Sequence, residues 1–288
     1  MVGIEIHCVV AIGALVGEGP VWDDRTQCLW WTDINARTMY RFDPARETNE
    51  SFKLPVRVGS FALREAAGFV LAAEQGFWLW DPATSVLEHL HDVHDPASNH
   101  RMNDGGCDRQ GRFVASSMNL DDVKQPTGGC WRLDGTHRSE QLLDGLHIGN
   151  GIAFSPAGDR FYVADTIADT VWRCRYDVAT GKLGERQEFA RFEDIAGRPD
   201  GATVDAEGGY WIAGVGGGRV YRFTPDGQLD RTIEVPISKP TRPMFGGPRL
   251  DQLYLTSISL GAEEPNAGGL FRIEGLGIAG LPEPRFRG

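Results

Sequence analysis

Six short apolar strand signals return along the chain at nearly even intervals: Leu29-Trp30-Trp31, Phe69-Val70-Leu71, Phe113-Val114-Ala115, Phe161-Tyr162-Val163, Tyr210-Trp211-Ile212 and Leu253-Tyr254-Leu255. Their middle residues lie 40, 44, 48, 49 and 43 positions apart. A period in that range marks an architecture made of repeated supersecondary units. Sharing 288 residues among six units leaves about 48 for each, the size of a four-stranded blade.

The segments between the signals agree with that division. Asp108-Arg109-Gln110-Gly111, Ser155-Pro156-Ala157-Gly158 and Asp205-Ala206-Glu207-Gly208 each place a side chain that folds back on its own backbone three positions before a glycine, the chemistry of a hairpin corner. Further strands follow, such as Phe77-Trp78-Leu79-Trp80 and Val220-Tyr221-Arg222-Phe223, and several alternate apolar with polar residues. No window carries a long helical period. The reading is all-β, a six-bladed β-propeller, with residues 1–288 as one domain. Residues 9–15 are expected to add a strand beside residues 270–273 and so close the ring without an open edge. Longer connections at residues 93–101, 119–129 and 259–268 are where substrate contacts on a rigid scaffold are expected.

A second regularity rides on the first. Glu18 lies 12 residues before Trp30, Asn103 11 before Val114, Asn150 12 before Tyr162 and Asp200 11 before Trp211. Equal offsets in a rotationally repeated fold mean convergence on one axis. The second and sixth units offer only Val58-Gly59 and Arg242-Pro243 there, so the oxygen-bearing positions are a subset of the repeats. Two carboxylates and two carboxamides form an all-oxygen set suited to a hard divalent cation such as calcium, magnesium or manganese, with zinc admitted if water completes it. Without a cation, two carboxylates held close would force one to stay protonated. Glycines beside each position (Gly17, Gly19, Gly105, Gly149, Gly151, Gly201) suit a crowded axis. A single Asn-Gly is an ordinary turn dipeptide; four in register define a site.

The formal charge of −11 argues against nucleic acid or an anionic membrane as partner. Five widely spaced cysteines without a Cys-x-x-Cys pair fit a reducing compartment. The start of the chain lacks a basic segment, and nothing reaches membrane-spanning length, so the expected location is cytoplasmic, with no obligate protein partner evident.

Other residues carry less. Arg101, two before Asn103, has a forked guanidinium suited to a hydroxylated or anionic substrate, the alternative being a surface arginine. Asp121, in the loop after Met118, is a candidate for binding a hydroxyl at the channel mouth; an exposed loop aspartate is the alternative. His89, His91 and His94 resemble a loose metal cluster without a second ligand set. His147 borders the Asn150 position as a packing or hydrogen-bonding residue. The glycine run 214–218 is followed by no helix pattern, which argues against a phosphate-cradling loop. Ser60 lacks a nucleophile elbow.

Gly17-Glu18-Gly19-Pro20-Val21-Trp22, Arg101-Met102-Asn103-Asp104-Gly105, Gly149-Asn150-Gly151, Pro199-Asp200-Gly201, Phe245-Gly246-Gly247 and the closing Gly268-Gly269-Leu270-Phe271-Arg272-Ile273 together resemble the signature segments of the senescence marker protein/gluconolactonase family, also called the regucalcin family. The resemblance spans nearly the whole chain. It implies a six-bladed propeller with one divalent cation and hydrolysis of a sugar lactone as the commonest activity. Glu18, Asn150 and Asp200 stand where that family places metal ligands, and Arg101, Asn103 and Asp121 where it contacts substrate. Asp121 stands where animal relatives lead one to expect a longer glutamate. On this reading an aldonolactone is opened to its acid, the cation polarises the ring carbonyl, and either Asp200 as general base or the cation itself activates the water. The competing readings are a propeller that binds calcium or a ligand without catalysis, and a metal-dependent phosphotriesterase; fold and metal carry further than substrate.

Overall fold

The computed structural model describes residues 3–288 and shows 24 strands and no helix among them. They form six four-stranded antiparallel sheets, the blades of a β-propeller. Blades 1 to 5 each take four consecutive strands. Their inner strands are Gly17–Asp23, Val58–Leu63, His100–Cys107, Gly149–Phe154 and Arg198–Val204. Blade 6 runs from its inner strand Pro240–Gly246 through Gln252–Ser257 and Leu270–Glu274, and takes its outermost strand from the start of the chain.

That closing strand is Glu5–Val10, pairing from Glu5↔Glu274 to Val10↔Leu270. It lies earlier than the expected residues 9–15. The alternation Glu5-Ile6-His7-Cys8 lets Ile6 and Cys8 pack on the blade 5–6 core while Glu5 and His7 face outward. Residues 11–15 leave the sheet instead, and Ala14 N–H donates to the Gly268 carbonyl in a loop contact (2.8 Å).

The apolar triplets are the second strands of the blades, and the core explains why they are continuous rather than alternating. Each blade is covered on both faces by its neighbours, so successive side chains are buried on opposite sides. In blade 1, Leu29 and Trp31 pack toward blade 6 while Trp30 packs toward blade 2. The core is accordingly a ring of six clusters, one at each blade interface. Large rings such as Trp31, Trp211, Tyr162 and Tyr254 are fully buried in it. Each such residue contributes on the order of 2–3 kcal/mol of apolar burial.

After the last strand the chain crosses the lower face of the ring. Gly280 bridges to Asp205 in blade 5, Arg287 N–H donates to Gly111 in blade 3 (3.0 Å), and Phe286 bridges to Arg64 in blade 2. Arg285 pairs with Asp23 and Asp24 in blade 1. Phe286 is fully buried among Ala62, Phe113 and Leu133.

Candidate active site at the upper mouth of the channel

Every inner strand breaks its regular pairing where it reaches the axis. The register shifts fall between Glu18 and Val21, Met102 and Gly105, Asn150 and Ala153, and Pro199 and Ala202. Blades 2 and 6 shift at the same place, Val58 to Ser60 and Pro240 to Pro243. A bulge inserts unpaired residues and re-aims their side chains. Gly19 and Gly151 follow the leading residue in blades 1 and 4 with φ of 56° and 62°, the left-handed region that favours glycine. At Gly151 a Cβ would also collide with the Tyr210 hydroxyl, which donates to the Gly151 carbonyl (2.8 Å).

Two buried aspartates hold the approaches. Asp33 accepts from Leu15 N–H (2.7 Å) and Val16 N–H (3.2 Å), and Asp165 accepts from His147 N–H (2.8 Å) and Ile148 N–H (3.3 Å). These equivalent contacts fix the backbone two or three residues ahead of Glu18 and Asn150.

Glu18, Asn103, Asn150 and Asp200 line one cavity of about 170 Å³, together with Arg101 and Thr166. A directed chain of hydrogen bonds crosses three blades. Arg101 Nη1 donates to Asn103 Oδ1 (2.6 Å), Asn103 Nδ2 to Asn150 Oδ1 (3.1 Å), Asn150 Nδ2 to Thr166 Oγ1 (2.8 Å), and Thr166 to the carbonyl of Pro199, next to Asp200 (2.8 Å). This order sets both amide orientations and leaves Asn150 Oδ1 a second lone pair.

The two carboxylates face each other's field with too little compensation. Burial, then the charge of Asp104, pushes Glu18 up to about 8, against which Arg242 and Arg101 act only in part. Burial and the charge of Glu18 hold Asp200 well above the usual carboxylate range. Glu18 keeps some accessible surface because it lines the cavity, yet burial still dominates its titration. Burial likewise lowers Arg101 to about 10. A divalent cation fits this set: it would relieve the repulsion, and carboxylate and carboxamide oxygens are its preferred donors. Among the described residues no group of three or more His, Cys, Asp or Glu is arranged to hold a metal, so a cation in this cavity would have to draw on the amide oxygens as well.

A pH dependence follows for protein stripped of divalent cations. Glu18 keeps its proton in the fold where the unfolded chain, near the usual 4.5, has lost it. The stability it contributes is fully present below about pH 4.5 and is lost as pH rises through about 8. Urea midpoints measured in chelator are expected to fall across that window, and Glu18→Gln should make the slope shallower, the remainder belonging to Asp200 and Asp104, whose carboxyls are also raised. A variant that retains the full wild-type slope contradicts the placement of Glu18.

Beneath the floor lies a pair not read from the sequence. Arg242 Nη1 donates to Asp104 Oδ1 (2.6 Å) and to the Gly105 carbonyl (2.7 Å), while Asp104 Oδ2 accepts from Ile152 N–H (2.8 Å). Even so, burial outweighs the guanidinium and holds the Asp104 carboxyl above its usual value. Below this pair the remaining space is about 20 Å³, room for roughly one water, and Glu283 of the crossing tail lines it.

Asp121 is not brought to the cavity. It is exposed, its N–H donates to Asn119 Oδ1 (2.8 Å), and its carboxylate accepts from Asn99 Nδ2 (2.7 Å). The three histidines part company: His89 meets Asp92 (2.9 Å), His91 meets Ser139 (2.8 Å) and His94 meets Ser117 (2.8 Å). His147 Nδ1 contacts Asp165 (2.9 Å). The glycine run forms the turn between the strands Tyr210–Val215 and Arg219–Phe223, and Ser60 is fully buried away from the cavity.

The fold and this arrangement meet in one family. Residues 16–259 match the model of the SMP-30/Gluconolactonase/LRE-like region. The chain is 33% identical to regucalcin of Xenopus laevis over 100% of both chains. It is 38% identical to 6-deoxy-6-sulfogluconolactonase of Pseudomonas putida, over 98% of this chain and 99% of the relative. The crystal structure of a calcium-binding protein, regucalcin, from Agrobacterium tumefaciens superposes with a TM-score of 0.92 at 28% identity, covering 97% of this chain and 96% of that one. The chain belongs to the SMP-30/gluconolactonase/LRE-like family. The names gluconolactonase and 6-deoxy-6-sulfogluconolactonase denote lactone hydrolases, so lactone hydrolysis is an activity of this family.

Proposed function

We propose that this chain is a divalent-cation-dependent lactonase that opens a sugar-type lactone to its hydroxy acid. The observation that carries the reading is the meeting of Glu18, Asn150 and Asp200 with Arg101 and Asn103 in one water-accessible cavity. Glu18, Asp200 and Asn150 Oδ1 would hold the cation. When bound there, it supplies Lewis-acid polarisation of a carbonyl oxygen.

The chain's own groups do the rest. Arg101 and Asn103 orient the lactone, converting binding into alignment. A carboxylate oxygen of Asp200 takes a proton from the water that adds to the carbonyl carbon. The ring carbon–oxygen bond breaks, and that proton passes to the departing ring oxygen, giving a hydroxy acid whose carboxyl then releases its remaining proton to solvent and leaves as the carboxylate. All five cysteines are free, which supports a reducing, cytoplasmic setting. The ligand is a small molecule, and the acidic surface favours neither nucleic acid nor an anionic membrane as partner.

Proton release from a panel of pentono- and hexonolactones, followed with a pH indicator and corrected for spontaneous opening, tests this. Turnover is expected to vanish in chelator and to return with individual cations. Unchanged rates in metal-stripped buffer, or no turnover of any lactone with any cation, would falsify the scheme. The second outcome, with a cation bound, would instead favour a binding protein, the description the Agrobacterium tumefaciens relative carries.

A further inference from the structure

One pleat outward from the floor, each blade places two paired residues at the mouth. Backbone contacts match Val16 with Ile34 (3.0 Å), Arg57 with Glu74 (3.1 Å), Ile148 with Thr166 (3.1 Å) and Lys239 with Ile258 (3.0 Å). Arg101 pairs with Met118 and Arg198 with Val215 in the same layer. The side chains from this layer that line the cavity include six aliphatic ones: Val16, Ile34, Met118, Ile148, Val215 and Ile258. Three of the four cations turn elsewhere. Arg57 pairs with Glu74 (2.7 Å), Arg198 lies 3.9 Å from Asp169, and Lys239 donates to the carbonyls of Leu260 (2.7 Å) and Gly261 (2.8 Å).

The polar groups that remain have few hydrogen bonds to offer. Both protons of the Asn103 amide nitrogen, one of the two on Asn150 and the Thr166 hydroxyl proton are spent inside the chain that crosses the floor. Arg101 has its Nη1 committed to Asn103 and the Met102 carbonyl, so its other guanidinium edge is the chief source of donors. Asp121 does not line the cavity, and its carboxylate accepts from Asn99. A hydroxyl pressed against the aliphatic collar would lose its water partners and gain none.

Resting on the lactonase reading, we infer that this site prefers a lactone whose exocyclic end is apolar, a deoxy or alkyl-substituted lactone, over a fully hydroxylated one. The ring carbonyl and its neighbouring hydroxyls meet the floor and Arg101, and the deoxy end meets the collar.

The test compares a hexono-1,5-lactone, its 6-deoxy counterpart and its 6-sulfonate counterpart at one cation concentration. The 6-deoxy lactone is expected to have a kcat/KM roughly 10- to 100-fold above the parent, the range an aliphatic pocket achieves against an added hydroxyl. Val215→Thr, nearly isosteric, and Ile258→Asn should close most of that gap by improving use of the parent lactone. Equilibrium binding of the three corresponding lactams reads the same preference without turnover, and the deoxy lactam should bind tightest. Equal or better use of the parent or sulfonate lactone, with the lactams in the same order, overturns the collar's role and leaves the lactonase reading standing. Tightest binding of the deoxy lactam without turnover of any lactone overturns the lactonase reading and upholds the apolar preference.

Discussion

Asp200→Asn is expected to lower lactone kcat/KM by about 10²–10³-fold, because in the proposed scheme several kcal/mol of transition-state stabilisation would be tied to the bound cation and each 1.4 kcal/mol is tenfold. The same change should leave the fold intact in chelator. Asparagine has the shape of protonated aspartic acid, and burial beside Glu18 already holds Asp200 well above the ordinary carboxylate range. Removing that charge relieves repulsion, so thermal midpoints in chelator should stay level or rise. The gain in midpoint on adding a cation should shrink. Glu18→Gln should behave in the same way. A variant with wild-type turnover, or one that loses turnover only through unfolding, would remove Asp200 from the proposed chemistry.

Arg242→Met is the substitution expected to be most damaging to the fold, at about 3–5 kcal/mol, the usual loss when one partner of a buried ion pair is removed. Arg242 and Asp104 are both buried, and the guanidinium also satisfies the Gly105 carbonyl. Asp104 secures blade 4 as well, through Ile152 N–H. The single change leaves a desolvated carboxylate under the floor, where Glu18 and Asp200 already sense its charge. The pair Arg242→Met with Asp104→Asn should be less destabilised than the sum of the two single variants, because asparagine keeps an acceptor for Ile152 and carries no charge. Additive losses in urea unfolding would show that the two residues act separately.

The sixfold division was legible because burial on both faces of each blade writes continuous apolar triplets into the sequence. The sharing of one cavity by Glu18, Asn103, Asn150 and Asp200 was legible for a related reason: their offsets from those triplets are nearly constant, and the bulges fall at corresponding places. Asp121 lies outside the cavity lining, and nothing in the sequence indicated this, since a loop has no period; its N–H donates to Asn119 and its carboxylate accepts from Asn99. The closing strand was displaced by a few residues because an edge strand tolerates an Ile6, Cys8 pattern as readily as the more apolar run beyond it. Arg242 stood at the inner offset of the sixth unit, but its partner lies 138 positions away, and nothing local to either residue announces the pairing. The aliphatic collar was invisible for the same reason: Ile34, Val215 and Ile258 read as ordinary strand ends until the ring brings them together.

The buried Arg242–Asp104 pair and the tail that runs beneath it leave only about 20 Å³ under the floor, which makes the interior a blind vestibule. Whatever enters must leave by the door it came through, past the same threshold, and in the proposed reaction the opened acid would have to back out before another molecule could advance. Such a dead-end layout makes the spent compound a direct rival of the incoming one, so inhibition by the released acid should be overcome by raising the lactone concentration.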